Sequence, residues 1–187
     1  ALTAQNFTSS TDTNNVAVGY QAGASVTTGR HNNFFGAVAG DAITDGESNV
    51  AIGTASLGSD TRGNFSVAIG HAALNSQNTT NDTDMYNTAV GYHAGTAVTT
   101  GIKNVILGSR AGDALTDADS NIAIGESALS TDTLGSKSVA IGDSALYAQN
   151  FTSATDTHNV AIGYAAGNAV TTGKFNTFLG GLAGDAI

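Results

Sequence analysis

Short apolar runs recur along this chain at near-constant spacing, each opened by a small polar residue and closed by a glycine. Asn15-Val16-Ala17-Val18-Gly19 is one, and Asn121-Ile122-Ala123-Ile124-Gly125 is another. The closing glycines are Gly19, Gly36, Gly53, Gly70, Gly91, Gly108, Gly125, Gly142, Gly163 and Gly180, spaced by 17, 17, 17, 21, 17, 17, 17, 21 and 17 residues. Self-similarity at a fixed period marks a repeat architecture. The pattern predicts an all-β fold: a parallel β-solenoid, or β-roll, whose backbone completes one coil every 17 residues. The ten glycines are expected to be its structural turns.

Position 1 of a coil is taken as the residue four before its glycine. It is Asn in eight coils and Ser in two, Ser66 and Ser138. Positions 2 to 4 form the strand, and alternation with period two sends position 3 to the face opposite positions 2 and 4. Positions 2 and 4 are mostly Val, Ile or Leu, and position 3 is mostly Ala, so both faces are apolar. Such a strand reads as buried on both sides. One face lines the coil's own lumen. A 17-residue coil has too little interior to cover the other, so a neighbouring chain is expected there. Cyclic self-association about an axis parallel to the stack satisfies this, and a homotrimer suits a fibre.

A second period of 72 residues overlies the first. His158-Asn159-Val160-Ala161-Ile162-Gly163-Tyr164 returns the pattern of Asn14 to Tyr20 and Tyr86 to Tyr92. The chain is one repetitive domain with super-repeats at about 1–14 (partial), 15–86, 87–158 and 159–187 (partial), and it reads as a segment of a longer repetitive protein. Within a super-repeat the first two coils carry Gly at position 9 and an apolar residue at position 12: Val26, Ile43, Val98, Leu115, Val170 and Ile187. The last two carry Leu at position 9 (Leu57, Leu74, Leu129, Leu146), and position 12 becomes Asp60, Gln77, Asp132 or Gln149. One bulky apolar side chain is kept while its place shifts, as a close-packed interior requires. Tyr20, Tyr92 and Tyr164, at position 6 of every first coil, are expected to pack across adjacent coils. The Asn- and Thr-rich stretches 5–14, 77–86 and 149–158, which hold the four extra residues, read as surface loops.

Composition narrows the function classes. Of 187 residues, 24 are Gly and none is Pro, which suits many short strands whose N–H groups all enter ladders. The net charge is −9, with no basic patch, which excludes nucleic acid as a natural partner. The absence of Cys removes disulfides and thiolate sites. No apolar run is long enough for a membrane span, so no membrane partner is expected.

Most chemical motifs dissolve in the repeat frame. Gly142-Asp143-Ser144-Ala145-Leu146 imitates a serine-esterase block, but sister coils read Gly125-Glu126-Ser127-Ala128-Leu129 and Gly70-His71-Ala72-Ala73-Leu74. No His stands regularly against Ser144, and a nucleophile needs a base within reach, so no enzyme is expected. His31, His71, His93 and His158 share no position of the 72-residue frame. Gly167 to Lys174 is one residue too long for a phosphate loop and lacks its hydroxyl. The Thr pairs 27–28, 99–100 and 171–172 are too sparse for an ice-matching face. Asp41, Asp113 and Asp185 do share a position and are the candidates for Ca²⁺, a cation that takes several oxygen ligands. Turn chemistry is the default for Asp beside glycine. No cofactor is otherwise expected.

Asn-Val-Ala-Ile-Gly, at Asn49 to Gly53 and Asn159 to Gly163, resembles the head repeat of trimeric autotransporter adhesins. That resemblance implies a left-handed parallel β-roll with three chains side by side on a bacterial surface. The 72-residue frame resembles repetitive fibre and virion-structural proteins of marine bacteriophages. Val18-Gly19-Tyr20-Gln21-Ala22-Gly23, Gly181-Leu182-Ala183-Gly184-Asp185-Ala186 and Ala148 to Thr157 carry this likeness, which covers essentially the whole chain. It implies an extracellular fibre segment on a virion that supports attachment to a host-surface receptor or glycan. The alternative is the adhesive head of a bacterial surface protein.

Overall fold

The structure is a computed structural model that describes residues 1–185. It is all-β, with fourteen strands. In the first half these are β1 (Val16–Val18), β2 (Asn33–Phe35), β3 (Val50–Ile52), β4 (Gly63–Asn64), β5 (Val67–Ile69), β6 (Thr83–Asp84) and β7 (Thr88–Val90). In the second half they are β8 (Val105–Leu107), β9 (Ile122–Ile124), β10 (Gly135–Ser136), β11 (Val139–Ile141), β12 (Thr155–Asp156), β13 (Val160–Ile162) and β14 (Thr177–Leu179). The ten three-residue strands form one parallel sheet in the order β1-β2-β3-β5-β7-β8-β9-β11-β13-β14. Each predicted strand therefore lies on the next, residue over counterpart: Val50 pairs with Val67, Ala51 with Ala68, Ile52 with Ile69. With strands about 4.8 Å apart, ten coils make a column about 45 Å long.

Position 3 faces the lumen. Ala51, Ala68, Ala89, Ala123, Ala140 and Ala161 are fully buried there, and small side chains are what a narrow coil can hold. Where position 3 is large, glycines make room. The Phe34 ring lies against Gly23 and Gly40, so close that a methyl group on either would come within 2.8 Å of it. Ile106 occupies the same place beside Gly95 and Gly112. In the last two coils of a super-repeat Leu57, Leu74, Leu129 and Leu146 fill the interior from position 9, as expected. Ile187 lies outside the described residues.

Two devices hold the coils at strand spacing. The first is a ladder of buried asparagines at position 1. Asn49 donates through Nδ2 to the Gly63 carbonyl (2.7 Å), and its Oδ1 accepts the N–H of Ser66 on the next coil (2.9 Å). Asn32 serves Gly46 and Asn49 in the same way, and Asn104 serves Ala118 and Asn121. Each side chain satisfies one turn carbonyl and one N–H that would otherwise be buried unpaired, at about 1–3 kcal/mol apiece. The second is the glycine column. All ten turn glycines have φ between 120° and 142°, a region closed to other residues. In nine of them an added Cβ would sit no more than 2.7 Å from the backbone of the next turn glycine.

Two sequence expectations need correcting. The stretches 77–86 and 149–158 are not simple surface loops. β6 pairs in parallel with β4, and β12 with β10, while Gln77, Met85, Gln149 and Thr157 are fully buried. The four extra residues widen the coil and pair before it closes. Tyr20 and Tyr164 do not pack between coils either. They project outward, 73% and 62% exposed, because position 6 lies at the corner just past the strand, whereas Tyr92 stacks on His71 of the preceding coil as expected.

A ladder also runs through position 13, a role that the spacing of the Thr pairs 27–28 and 99–100 does not reveal. Thr27, Thr44, Thr61, Thr99, Thr116 and Thr133 each donate a hydroxyl to a carbonyl of the following coil. Thr79, by contrast, buries a hydroxyl with no partner. Two outcomes follow for unfolding measured in denaturant. Gly108→Ala loses more than about 3 kcal/mol, since it strains the backbone and collides with Gly125. Thr79→Val gains about 1 kcal/mol by removing the orphan hydroxyl.

Candidate interaction face

The strand face opposite the lumen is bare. Positions 2 and 4 supply twenty side chains across the ten coils, of which only Asn33, Thr88 and Thr177 are polar and none is charged. Every one of the twenty is half-buried or exposed. Val18 is 57% exposed and Leu179 is 77% exposed at the two ends, and Phe35, Ile52, Val90, Val105 and Ile162 are open between them. The sequence placed both faces in apolar surroundings; the structure shows that the larger, branched side chains are the ones turned outward. The arrangement follows from geometry, because a coil lumen lined by Ala has no space for two rows of Val and Ile.

This stripe is long and flat. At about 4.8 Å per rung and roughly 10–13 Å of strand width, it amounts to roughly 500 Å² of contiguous uncharged surface. Monomeric soluble proteins rarely leave more than about 300–600 Å² of apolar patch uncovered.

Polar and aromatic rows border the stripe. Before each strand stands a residue with positive φ, such as His31, Phe65, Tyr86, Lys103, His158 and Phe175. Phe65 stacks on Tyr86 with ring centroids 5.4 Å apart, and His158 on Phe175 at 5.3 Å. After the strand, His71 stacks on Tyr92 at 5.5 Å and on His93 at 5.4 Å. These rings lie face to face along the column axis, since residues one coil apart are strand-spaced. Their edges, rather than their faces, point to solvent along the row.

The remaining chemistry is scattered. Asp41 and Asp113 sit four coils apart, about 19 Å along the axis, too far to share an ion. Partial burial raises both carboxyls from their ordinary value, backbone N–H groups pull part of the way back, and for Asp113 the charges of Arg110 and His93 add to that pull. Asp185 is exposed at the last described coil. Among the described residues no three His, Cys, Asp or Glu side chains converge as metal ligands would. Ser144 donates its hydroxyl to its neighbour Asp143 (2.7 Å). Asp117, Asp119, Asp156 and Lys174 line an open depression of about 710 Å³ beside the second inserted segment. Its carboxylates are already engaged: Asp117 with Thr100, Asp119 with the Ile102 N–H, and Asp156 with Lys137. No helix among the described residues is long and apolar enough to cross a membrane.

No family model matches the chain, and neither curated proteins nor solved structures yield a match. The long uncharged stripe is therefore the feature from which function must be argued.

Two measurements probe these assignments. Ile124→Asp places a charge in the middle of the stripe and is expected to abolish self-association on a sizing column, whereas Thr172→Ala, on an exposed corner, leaves it unchanged. Removing divalent cations with a chelator is expected to leave the unfolding temperature where it was; a drop of several degrees would assign a cation to the Asp41 and Asp113 row.

Proposed function

We propose that this chain is a structural segment of an extracellular fibre, assembled from three copies whose strand faces meet, and that the fibre projects from a phage virion to support attachment to a host surface. The observation that carries this reading is the stripe: an unbroken, uncharged strand face that runs the length of a ten-coil column. A second copy of the chain has the same rung spacing, so each of its rows meets a row at every level. A globular partner would match only a few rungs. Three copies around an axis parallel to the column cover all three stripes at once and leave the acidic corners outward, where a net charge of −9 per chain keeps fibres apart.

Nothing in the coil calls for catalysis under this reading. The repeated side chains are used for stacking, and the variable ones, at positions 6 and 7 and in the inserted segments, decorate the outside. A receptor or glycan would be met by those variable positions or by another part of the fibre.

The reading is tested at two levels. In solution the chain is expected at about three times its 18.5 kDa mass. A monomer at micromolar concentration would remove the assembly. Antibodies raised against the column are expected to decorate projecting fibres of a virion in electron micrographs. Decoration of a bacterial envelope instead would move the assignment to a surface adhesin, and decoration of neither would overturn both.

A further inference from the structure

Every fourth junction between coils is built differently from the other three. The asparagine ladder reaches Ser66 and Ser138 through their own N–H groups, accepted by Asn49 and Asn121, and there it loses its amide. The serine hydroxyls turn to Gln77 (3.0 Å) and Gln149 (2.9 Å) instead. The same junctions enclose a carboxylate each. Asp60 accepts from the Gly63 N–H (3.0 Å) and from Gln77 Nε2 (2.6 Å). Asp132 accepts from the N–H groups of Gly135 (3.1 Å) and Phe151 (3.0 Å) and from Gln149 Nε2 (2.6 Å). Both carboxylates are fully buried. The four extra residues enter at these junctions, and the orphan hydroxyl of Thr79 lies at the first of them.

None of the groups acting on Asp60 is charged: they are the Gln77 amide and the backbone of Gly63, Thr79 and Arg62. Its counterpart one coil back is the aliphatic Ile43, and that of Asp132 is Leu115. The charged side chains of the adjoining segments are engaged elsewhere. Arg62 pairs with Asp45 at 2.9 Å, and Asp82 and Asp84 accept from Asn64. Beside the second junction Lys137 pairs with Asp156, while Asp117 and Asp119 accept from Thr100 and Ile102. Each buried carboxylate is thus held by neutral donors alone.

We propose that the Asp60–Gln77 junction is a pH-tuned joint in the column, softer than the ordinary junctions at neutral pH and tightened as acid is added. An ionised carboxylate in a low-dielectric lumen without a counter-ion favours any motion that lets water reach it. Opening the joint does that; so the open form is favoured while the group is ionised. Burial pushes the Asp60 carboxyl up, with the Gln77 and backbone donors pulling part of the way back. The closed joint therefore holds its proton more tightly than the open one. Closure is complete below the ordinary carboxylate range and weakens as pH rises through the raised value.

Hydrogen exchange of the intact assembled chain, corrected for the intrinsic pH dependence of exchange, tests this. The reporting amides are those that bridge this joint: Leu57, Ser59 and Met85. At pH 7.5 they are expected to be about tenfold less protected than Gly40, Val105 and Gly112, which bridge ordinary junctions, and the gap is expected to narrow steadily as the pH is lowered toward the ordinary carboxylate range. Replacing both partners of the joint, Asp60→Leu with Gln77→Leu, is expected to remove the gap throughout the pH series. Uniform protection along the column at pH 7.5, or a gap that does not narrow as the pH falls, overturns the proposal. The wild-type pH series decides the matter by itself if the double variant does not fold.

Discussion

Each residue of this chain lies on its own counterpart one coil along the column, at the spacing of adjacent β-strands. That constraint dictates what each position can be. A turn whose backbone passes this close to the next turn has no space for a Cβ, so ten glycines stand in file. A backbone that leaves one carbonyl and one N–H unpaired at the start of every strand needs a side chain with both a donor and an acceptor, and a short one. Asparagine meets that need, and because it also meets it in the next coil, the bonds link into a ladder. The chain is repetitive because its environment is.

The same constraint turns one face of the molecule outward without cover. A lumen narrow enough to be lined mostly by Ala at position 3 sends the side chains of positions 2 and 4, chiefly Val, Ile and Leu, to the outside along the column. In a globular protein such a strand would be covered by a helix or a second sheet from the same chain. Here the chain has spent its length on more coils of the same kind, and no described element returns over the stripe. The trimer proposed above would cover this surface with copies of the same periodicity.

Much of this was legible beforehand, for a physical reason. Stacking makes each coil position an average over ten copies, so Gly at position 5 or Asn at position 1 stands out by recurrence alone. The strands, their order and the role of the bulky Leu at position 9 all followed. What stayed hidden was chemistry that crosses between coils or depends on direction. Gln77 and Asp60 read as polar residues at one position, but their partnership spans 17 residues and shows only once coils are laid on each other. Thr27 and Thr99 stood out only as members of sparse pairs, because their hydroxyls bond carbonyls one coil away. Tyr20 and Tyr164 were misplaced because an aromatic at a corner can point either way, and nothing in its spacing says which.

The most direct check on the account is chemical access to the stripe in the assembled chain. The sequence contains no cysteine, so a single Cys can be placed at Ile124 or, separately, at Thr172, and its reaction with a water-soluble maleimide timed in each protein. The account predicts that Cys at 124 is shielded at concentrations where the chain assembles and becomes reactive on dilution, while Cys at 172 reacts at full speed throughout. Equal and undiminished rates at the two sites would contradict it.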